Sequence, residues 1–214
     1  MGHDLIHCCR IKHRMDFQQS LITTVHDYSL GNLDAVAFNR ELSQRPTTLM
    51  IPCLMEEFSR PALALIRDTL SSLKGLNRLV IALAAESAED VAHAEAFFAG
   101  MPFPVQVHWT NGPAVKDLLE SMGALGLEVT GPPGKGWAVW QGLGVACQDA
   151  EVVGLFDADI RTFGSAYPER MLRPLLDRSH GIAYVKAFYS RLSLETQALQ
   201  GRACLLYTSP SPRD

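Results

Sequence analysis

Nowhere in this 214-residue chain is there an apolar run of the roughly 18 residues that a membrane-crossing helix needs. The N-terminus also lacks the apolar core and small-residue cleavage site of a secretory signal. Cysteine is sparse and odd in number, with Cys8, Cys9, Cys53, Cys147 and Cys204 scattered along the chain. None has the paired spacing of a zinc site, which points to a reduced, cytoplasmic protein without structural disulfides. Positive charge is not in excess either. A net charge of −4 and a pI near 6.0 weigh against a broad nucleic-acid footprint. No G-x-G-x-x-G follows the first confident strand, so a dinucleotide oxidoreductase is not supported. What remains is the composition of an ordinary globular domain. Hydrophobic residues make up 47% and charged residues 20%, enough for a real core in one domain.

Short apolar runs alternate with helix-like stretches along most of the chain. Residues 21–25 form a short β-like run, and 33–42 read as a helix with Asn32 near its N-cap. Residues 47–53 read as the first confident strand, with Pro52 at its end, where a missing N–H costs least. The loop 54–57 and an amphipathic helix over 60–73 follow. Strands over 79–84 and 105–109 flank a helix over 88–98, for which Ser87 is the candidate cap. After the turn Asn111-Gly112-Pro113 come a helix over 114–125 and the Gly/Pro-rich loop 130–136. A helix over 137–147, a strand ending at Asp157, a helix over 167–176 and a strand over 182–189 complete the pattern. Strands alternating with helices predict a parallel, helix-covered sheet. The two ends lie outside it. Residues 1–14 show no periodicity and read as a disordered leader, with Met15 a plausible start. Residues 204–214 have no α/β logic and read as a foreign, adapter-like tail.

Three stretches carry chemistry. The run Val152 to Phe156 ends abruptly in Asp157 and Asp159. Ligands of open α/β sheets bind beyond the carboxyl ends of strands, and two carboxylates there suit a hard divalent ion that shares a substrate's phosphates. The plainer alternative is that Asp157 opens a turn and Asp159 caps the next helix. Lys135, between Gly134 and Gly136 at a helix start, suits a phosphate, because a helix N-terminus offers free N–H groups and positive potential. It is not a P-loop lysine, since Gly136 follows it where that motif needs Ser or Thr. A solvated loop lysine is the alternative. Glu56, just after the first strand, can accept hydrogen bonds from a nucleobase or ribose, or simply be a charged loop residue. In Val185-Lys186-Ala187-Phe188-Tyr189-Ser190-Arg191, Lys186 and Arg191 can meet phosphate; a core strand with a charged end is the alternative. His26 and His108 read as ordinary core or surface histidines.

Taken in order, these features are Pro52-x-x-x-Glu56-Glu57, Gly134-Lys135-Gly136-x-x-x-Trp140, Asp157-Ala158-Asp159 and Lys186-x-Phe188-Tyr189-x-Arg191. With Ile22-Thr23-Thr24-Val25-His26-Asp27 and Gly201-Arg202, the set resembles the GT-A-fold glycosyltransferases, specifically the glucosyl-3-phosphoglycerate synthase group. The resemblance covers residues 17–203. It implies an α/β, Rossmann-like, mostly parallel sheet flanked by helices. Residues 15–203 would be an incomplete nucleotide-sugar-binding domain with its C-terminal acceptor part missing, and the chain as it stands would have little transferase activity.

The same resemblance implies a nucleoside-diphosphate glucose donor, 3-phosphoglycerate as acceptor, retention of configuration, Mg²⁺ or Mn²⁺, and a homodimer at full length. By it, Pro52, Cys53, Leu54 and Glu56 line the nucleobase and ribose site, and Lys135 meets the diphosphate. Asp157 contacts the nucleotide sugar and Asp159 holds the metal, the pair being the catalytic residues. Arg202 matches an acceptor-phosphate arginine, with Lys186 and Arg191 also on the substrate side. One departure stands out: Leu83-Ala84-Ala85-Glu86 occupies the place of the group's usual aspartate after the second strand. Two other readings remain. One is a nucleotide-binding but catalytically dead fragment. The other is a haloacid-dehalogenase-type phosphatase, whose Asp-x-Asp normally follows the first core strand and has Thr or Val where Arg161 stands here. A sugar nucleotidylyltransferase would need a Gly-rich loop after the first strand, and 53–59 contains no glycine.

Overall fold

The computed structural model describes residues 33–127, 129 and 134–187. The run 21–25, Asn32, His26, the expected leader and tail, Arg191 and Arg202 lie outside the described residues.

Helix α1 (Ala35–Gln44) begins at Asp34, whose carboxylate accepts the Ala37 N–H at 2.9 Å, so the cap is Asp34. It buries Phe38 and Leu42, four residues apart on one face. Strand β1 (Thr47–Leu54) is buried at every position but the last, as befits a central parallel strand covered on both faces. A 3-10 turn (Met55–Ser59), where the sequence suggests a plain loop, leads to α2 (Pro61–Leu70). Pro61 sits at the helix start, where its missing N–H is harmless. Strand β2 (Arg78–Ala84) and α3 (Ala88–Phe97) follow. Ser87 does cap α3, and it forms a reciprocal capping box with Asp90. Strand β3 (Val105–Trp109), α4 (Pro113–Ala124), α5 (Lys135–Ala146), β4 (Val152–Leu155), α6 (Ala166–Leu176) and a short 3-10 turn (Arg178–His180) follow among the described residues.

The sheet is wholly parallel, in the order β3-β2-β1-β4. The expected α/β class, a parallel sheet flanked by helices, is therefore what the chain adopts. One face packs into a large core around Leu49, Ile51, Leu79, Ile81, Phe98 and Leu172. On the other face Met50, Val80 and Ala82 meet Ala138 and Ala146 of α5. The chain builds outward from β1 to β3, then returns to add β4 on the opposite side of β1. That reversal places a topological switch point between β1 and β4, where open α/β sheets bind their ligands.

Pro52 lies inside β1 rather than at its end, paired with Ala82 of β2. It is tolerated because of where its missing donor would point. The Met50 carbonyl accepts the Phe156 N–H, so Met50 and, two residues on, Pro52 turn their backbone polar groups toward β4. The β1–β4 ladder ends at Met50 and Leu155, so no bond is lost at Pro52.

The expected strand over 182–189 is not formed in its described part. Residues 182–187 have no strand pairing, and Tyr184 is 77% exposed. β-propensity reflects the fit of a side chain to a half-buried pleated surface, and these residues have no such surface.

Candidate active site

The alternation of β4 carries on beyond its last ladder pair. Gly154 faces Leu49 and Leu172, and Phe156 and Ala158 are buried in the same core. Asp157 and Asp159 are the alternate positions and stay out of it, Asp157 half-buried and Asp159 exposed. A buried strand thus delivers two carboxylates to the rim of the switch point. Asp159 forms no hydrogen bond or ion pair with any described residue.

Helix α5 brings Lys135 to the same rim. Its C-terminus lies at the opposite edge of the sheet, where Arg78 at the start of β2 donates to the Val145 carbonyl and to Asp149. Its N-terminus therefore reaches the carboxyl ends of the strands. Gly142 allows α5 to settle closely on β1 and β2. Lys135 Nζ stands 2.6 Å from Asp157 Oδ1. Among the described residues no side chain caps α5, no acidic residue lies in its first turn, and its cap residue Gly134 has φ +150°, a conformation open to glycine. Free N–H groups and a lysine together make this corner receptive to anions.

The expected nucleoside side of the site divides in two. Leu54 is exposed, and the Glu56 side chain is 59% exposed and paired with Arg60 at 3.3 Å. Pro52 and Cys53 are buried in the sheet and offer a ligand only their backbone. Burial, and secondarily the neighbouring Glu57 carboxylate, pushes the Cys53 thiol up to about 12, which keeps it protonated and unreactive. Glu57 stands in the sequence motif with no role of its own. Its Oε1 accepts from Arg60 at 2.7 Å, while its buried Oε2 has no partner. Arg60 thus grips both glutamates of the pair. Nothing in two adjacent identical residues signals which one is buried.

Sequence reasoning also passed over the latch between the loops after β2 and β3. Asn111 accepts the Ala85 N–H and donates back to the Ala85 carbonyl, at 3.1 and 2.8 Å. Trp109 Nε1 donates to the same carbonyl at 2.9 Å. The latch fixes the segment that leads to the exposed Glu86. His108, read as an ordinary histidine, bonds to Gln141 of α5 at 2.8 Å, and Gln141 donates on to the Thr110 carbonyl. Lys186 is exposed in the irregular segment 182–187 and is not brought to the aspartate pair by any contact described.

The carboxylates fit a divalent ion of the hard, oxygen-liganded kind. Among the described residues no group of three or more potential metal-binding side chains gathers in one place. One or two carboxylates with open positions, filled by phosphate oxygens and water, are what Mg²⁺ or Mn²⁺ commonly takes in phosphate-handling sites.

No family model matches the chain. It is similar to the glucosyl-3-phosphoglycerate synthase of Methanococcoides burtonii, at 33% identity over 197 residues, covering 92% of this chain and 49% of that protein. The corresponding protein of Persephonella marina is 28% identical over 198 residues, covering 91% and 48%. Among solved structures, the Mycobacterium tuberculosis glucosyl-3-phosphoglycerate synthase bound to Mn²⁺, UDP-glucose and phosphoglyceric acid aligns with a TM-score of 0.46 at 20% identity. That alignment covers 68% of this chain and 45% of the other. The chain spans about half the length of the curated relatives it matches. The resemblance read from its motifs is borne out by relatedness along nearly its whole length.

Proposed function

We propose that this chain, a relative of the glucosyl-3-phosphoglycerate synthases, is the donor-binding half of a GT-A glycosyltransferase. The reaction is transfer of a glucosyl group from a nucleoside-diphosphate glucose to 3-phosphoglycerate, with retention of configuration. The observation that carries this reading is the meeting of Lys135 with Asp157 at the β1–β4 switch point. The names of the related proteins support a glucosyl group as what is moved and 3-phosphoglycerate as its acceptor.

In this reading residues 15–203 are the nucleotide-sugar-binding domain. The backbone of Pro52 and Cys53, with the side chains of Leu54 and Glu56, lines the nucleobase and ribose. Asp157 contacts the nucleotide sugar, and Asp159 would hold Mg²⁺ or Mn²⁺. When bound, that ion supplies charge neutralisation at the diphosphate. Lys135 and the N–H groups of α5 do the same from the protein side, stabilising the charge left as the sugar–phosphate bond breaks. Lys186, Arg191 and Arg202 serve the substrate's anionic groups. A cytoplasmic location and a homodimer at full length complete the proposal. In the phosphatase alternative the aspartate pair normally follows the first strand of the core; here it follows β4, the fourth of the described strands in chain order.

Calorimetric titration of UDP and GDP, with Mg²⁺ or Mn²⁺ and then with chelator, tests the donor site. Metal-dependent binding of one or both nucleotides is expected. Equal affinity in chelator, or no binding at all, would overturn it.

A further inference from the structure

The Lys135–Asp157 bond joins two groups that the proposed site turns toward different partners. Lys135 is the first residue of α5, so its ammonium lies where the helix is already positive and cations are disfavoured. Among the described residues neither a capping side chain nor an acidic first turn relieves it. Asp157 balances that charge at 2.6 Å, while Asp159 forms no bond with any described residue. The pair is half in solvent, the lysine side chain 63% exposed and the aspartate 33%. Such pairs are weak enough for a better partner to open.

We infer that Lys135 neutralises Asp157 in the ligand-free protein and so weakens the hold of neighbouring Asp159 on the divalent ion, and that a nucleoside diphosphate draws the lysine away. Ion and nucleotide are then coupled through one exchange. An ion arriving alone meets a carboxylate already neutralised and an ammonium that repels it. A diphosphate offers Lys135 several charged oxygens beside the free N–H groups of α5, a stronger set than one carboxylate. With the lysine turned to phosphate, Asp157 is freed for the nucleotide sugar, and its negative charge, no longer neutralised, favours the ion that Asp159 would hold. By linkage, the factor by which nucleotide tightens the ion equals the factor by which the ion tightens nucleotide. Lys135 is here a positioning residue for Asp157 as well as a phosphate ligand. The inference rests on the proposed reading of the donor site.

The test measures Mn²⁺ affinity by electron paramagnetic resonance of the free ion, and UDP affinity by calorimetry, on the 214-residue chain and two variants. In the unaltered chain UDP should tighten Mn²⁺ by roughly 5- to 150-fold, the usual span of such coupling. In Lys135→Met, Mn²⁺ alone should bind about fivefold more tightly than in the unaltered chain, the size of one partly exposed ion pair removed. UDP should bind that variant more weakly and tighten its Mn²⁺ less. Lys135→Arg, which keeps the charge, should return Mn²⁺ affinity toward the unaltered value. If Mn²⁺ alone binds Lys135→Met no better than the unaltered chain, while UDP with Mn²⁺ still binds the latter, the exchange is wrong and the donor site stands. If the unaltered chain binds neither UDP nor Mn²⁺, the donor-site reading fails and the exchange falls with it.

Discussion

Gly142 of α5 rides directly on Ala82 of β2: a Cβ on the glycine would stand 2.9 Å from the Ala82 Cβ, and 3.0 Å from the Met50 Sδ. The methionine can swing aside, but the alanine Cβ is fixed to a buried central strand. This contact sets how close α5 lies to the sheet and so supports the height of Lys135 above the rim. Gly142→Val should destabilise the fold by about 1–3 kcal/mol through overpacking. Gly144, in the same helix with nothing within 4 Å of its would-be Cβ, is the control. Gly144→Ala should stabilise by about 0.5–1 kcal/mol through helix propensity alone. Urea denaturation of both variants decides the matter, and a Gly142→Val protein as stable as its parent would show that α5 is not packed as described.

Asp159 is the exposed carboxylate with no bond to another described residue, so its loss should leave stability nearly unchanged. What Asp159→Ala should remove is the metal dependence of UDP binding. Calorimetry with and without Mn²⁺ would show the two affinities converging. A variant that keeps its full Mn²⁺ response would place the ion elsewhere.

Cys53 has its thiol raised from 9.0 to about 12, chiefly by burial. A raised acid keeps its proton longer in the folded state than in the unfolded one. Between about pH 9 and 12 the folded protein therefore holds more protons, and stability falls as pH rises through that window. Cys53→Ala should flatten part of that alkaline loss and leave its neutral-pH stability pH-independent in this respect. In the native protein at pH 8, iodoacetamide should label the exposed Cys147 and spare Cys53, with mass spectrometry reading each peptide. Rapid native labelling of Cys53 would contradict its burial.

Ser87 accepts the Asp90 N–H at 3.3 Å while the Asp90 carboxylate accepts the Ser87 N–H at 3.1 Å. The Asp90 carboxylate also takes the Glu86 N–H, at 3.0 Å. Ser87→Ala should cost about 1 kcal/mol. Because Asp90 still holds the 86–87 backbone, nucleotide affinity should move little. A thermal melt and a UDP titration on one variant separate the two effects.

Much of this molecule is settled by local sequence. Leu79 to Ala84 and Val105 to Trp109 are strands because branched and apolar side chains fit a pleated buried surface, and Ser87 with Asp90 starts a helix through bonds only three residues long. The residue types of the candidate site stand in the sequence as well: a lysine between glycines at a helix start, and two aspartates where an apolar run stops. What the sequence alone could not decide is which of these meet. Lys135 and Asp157 are 22 residues apart, and they touch because β4 joins the sheet beside β1 while α5 crosses the opposite face from the main core. Strand order is a choice among long-range pairings that no local pattern encodes. The same holds for Glu56 and Glu57, identical neighbours of which packing buries one, and for Pro52, which sits inside a central strand because β4 has already parted from β1. At 182–187 the local preference for strand finds no sheet edge to join, since propensity yields structure only where a partner supplies the other half of the hydrogen bonds.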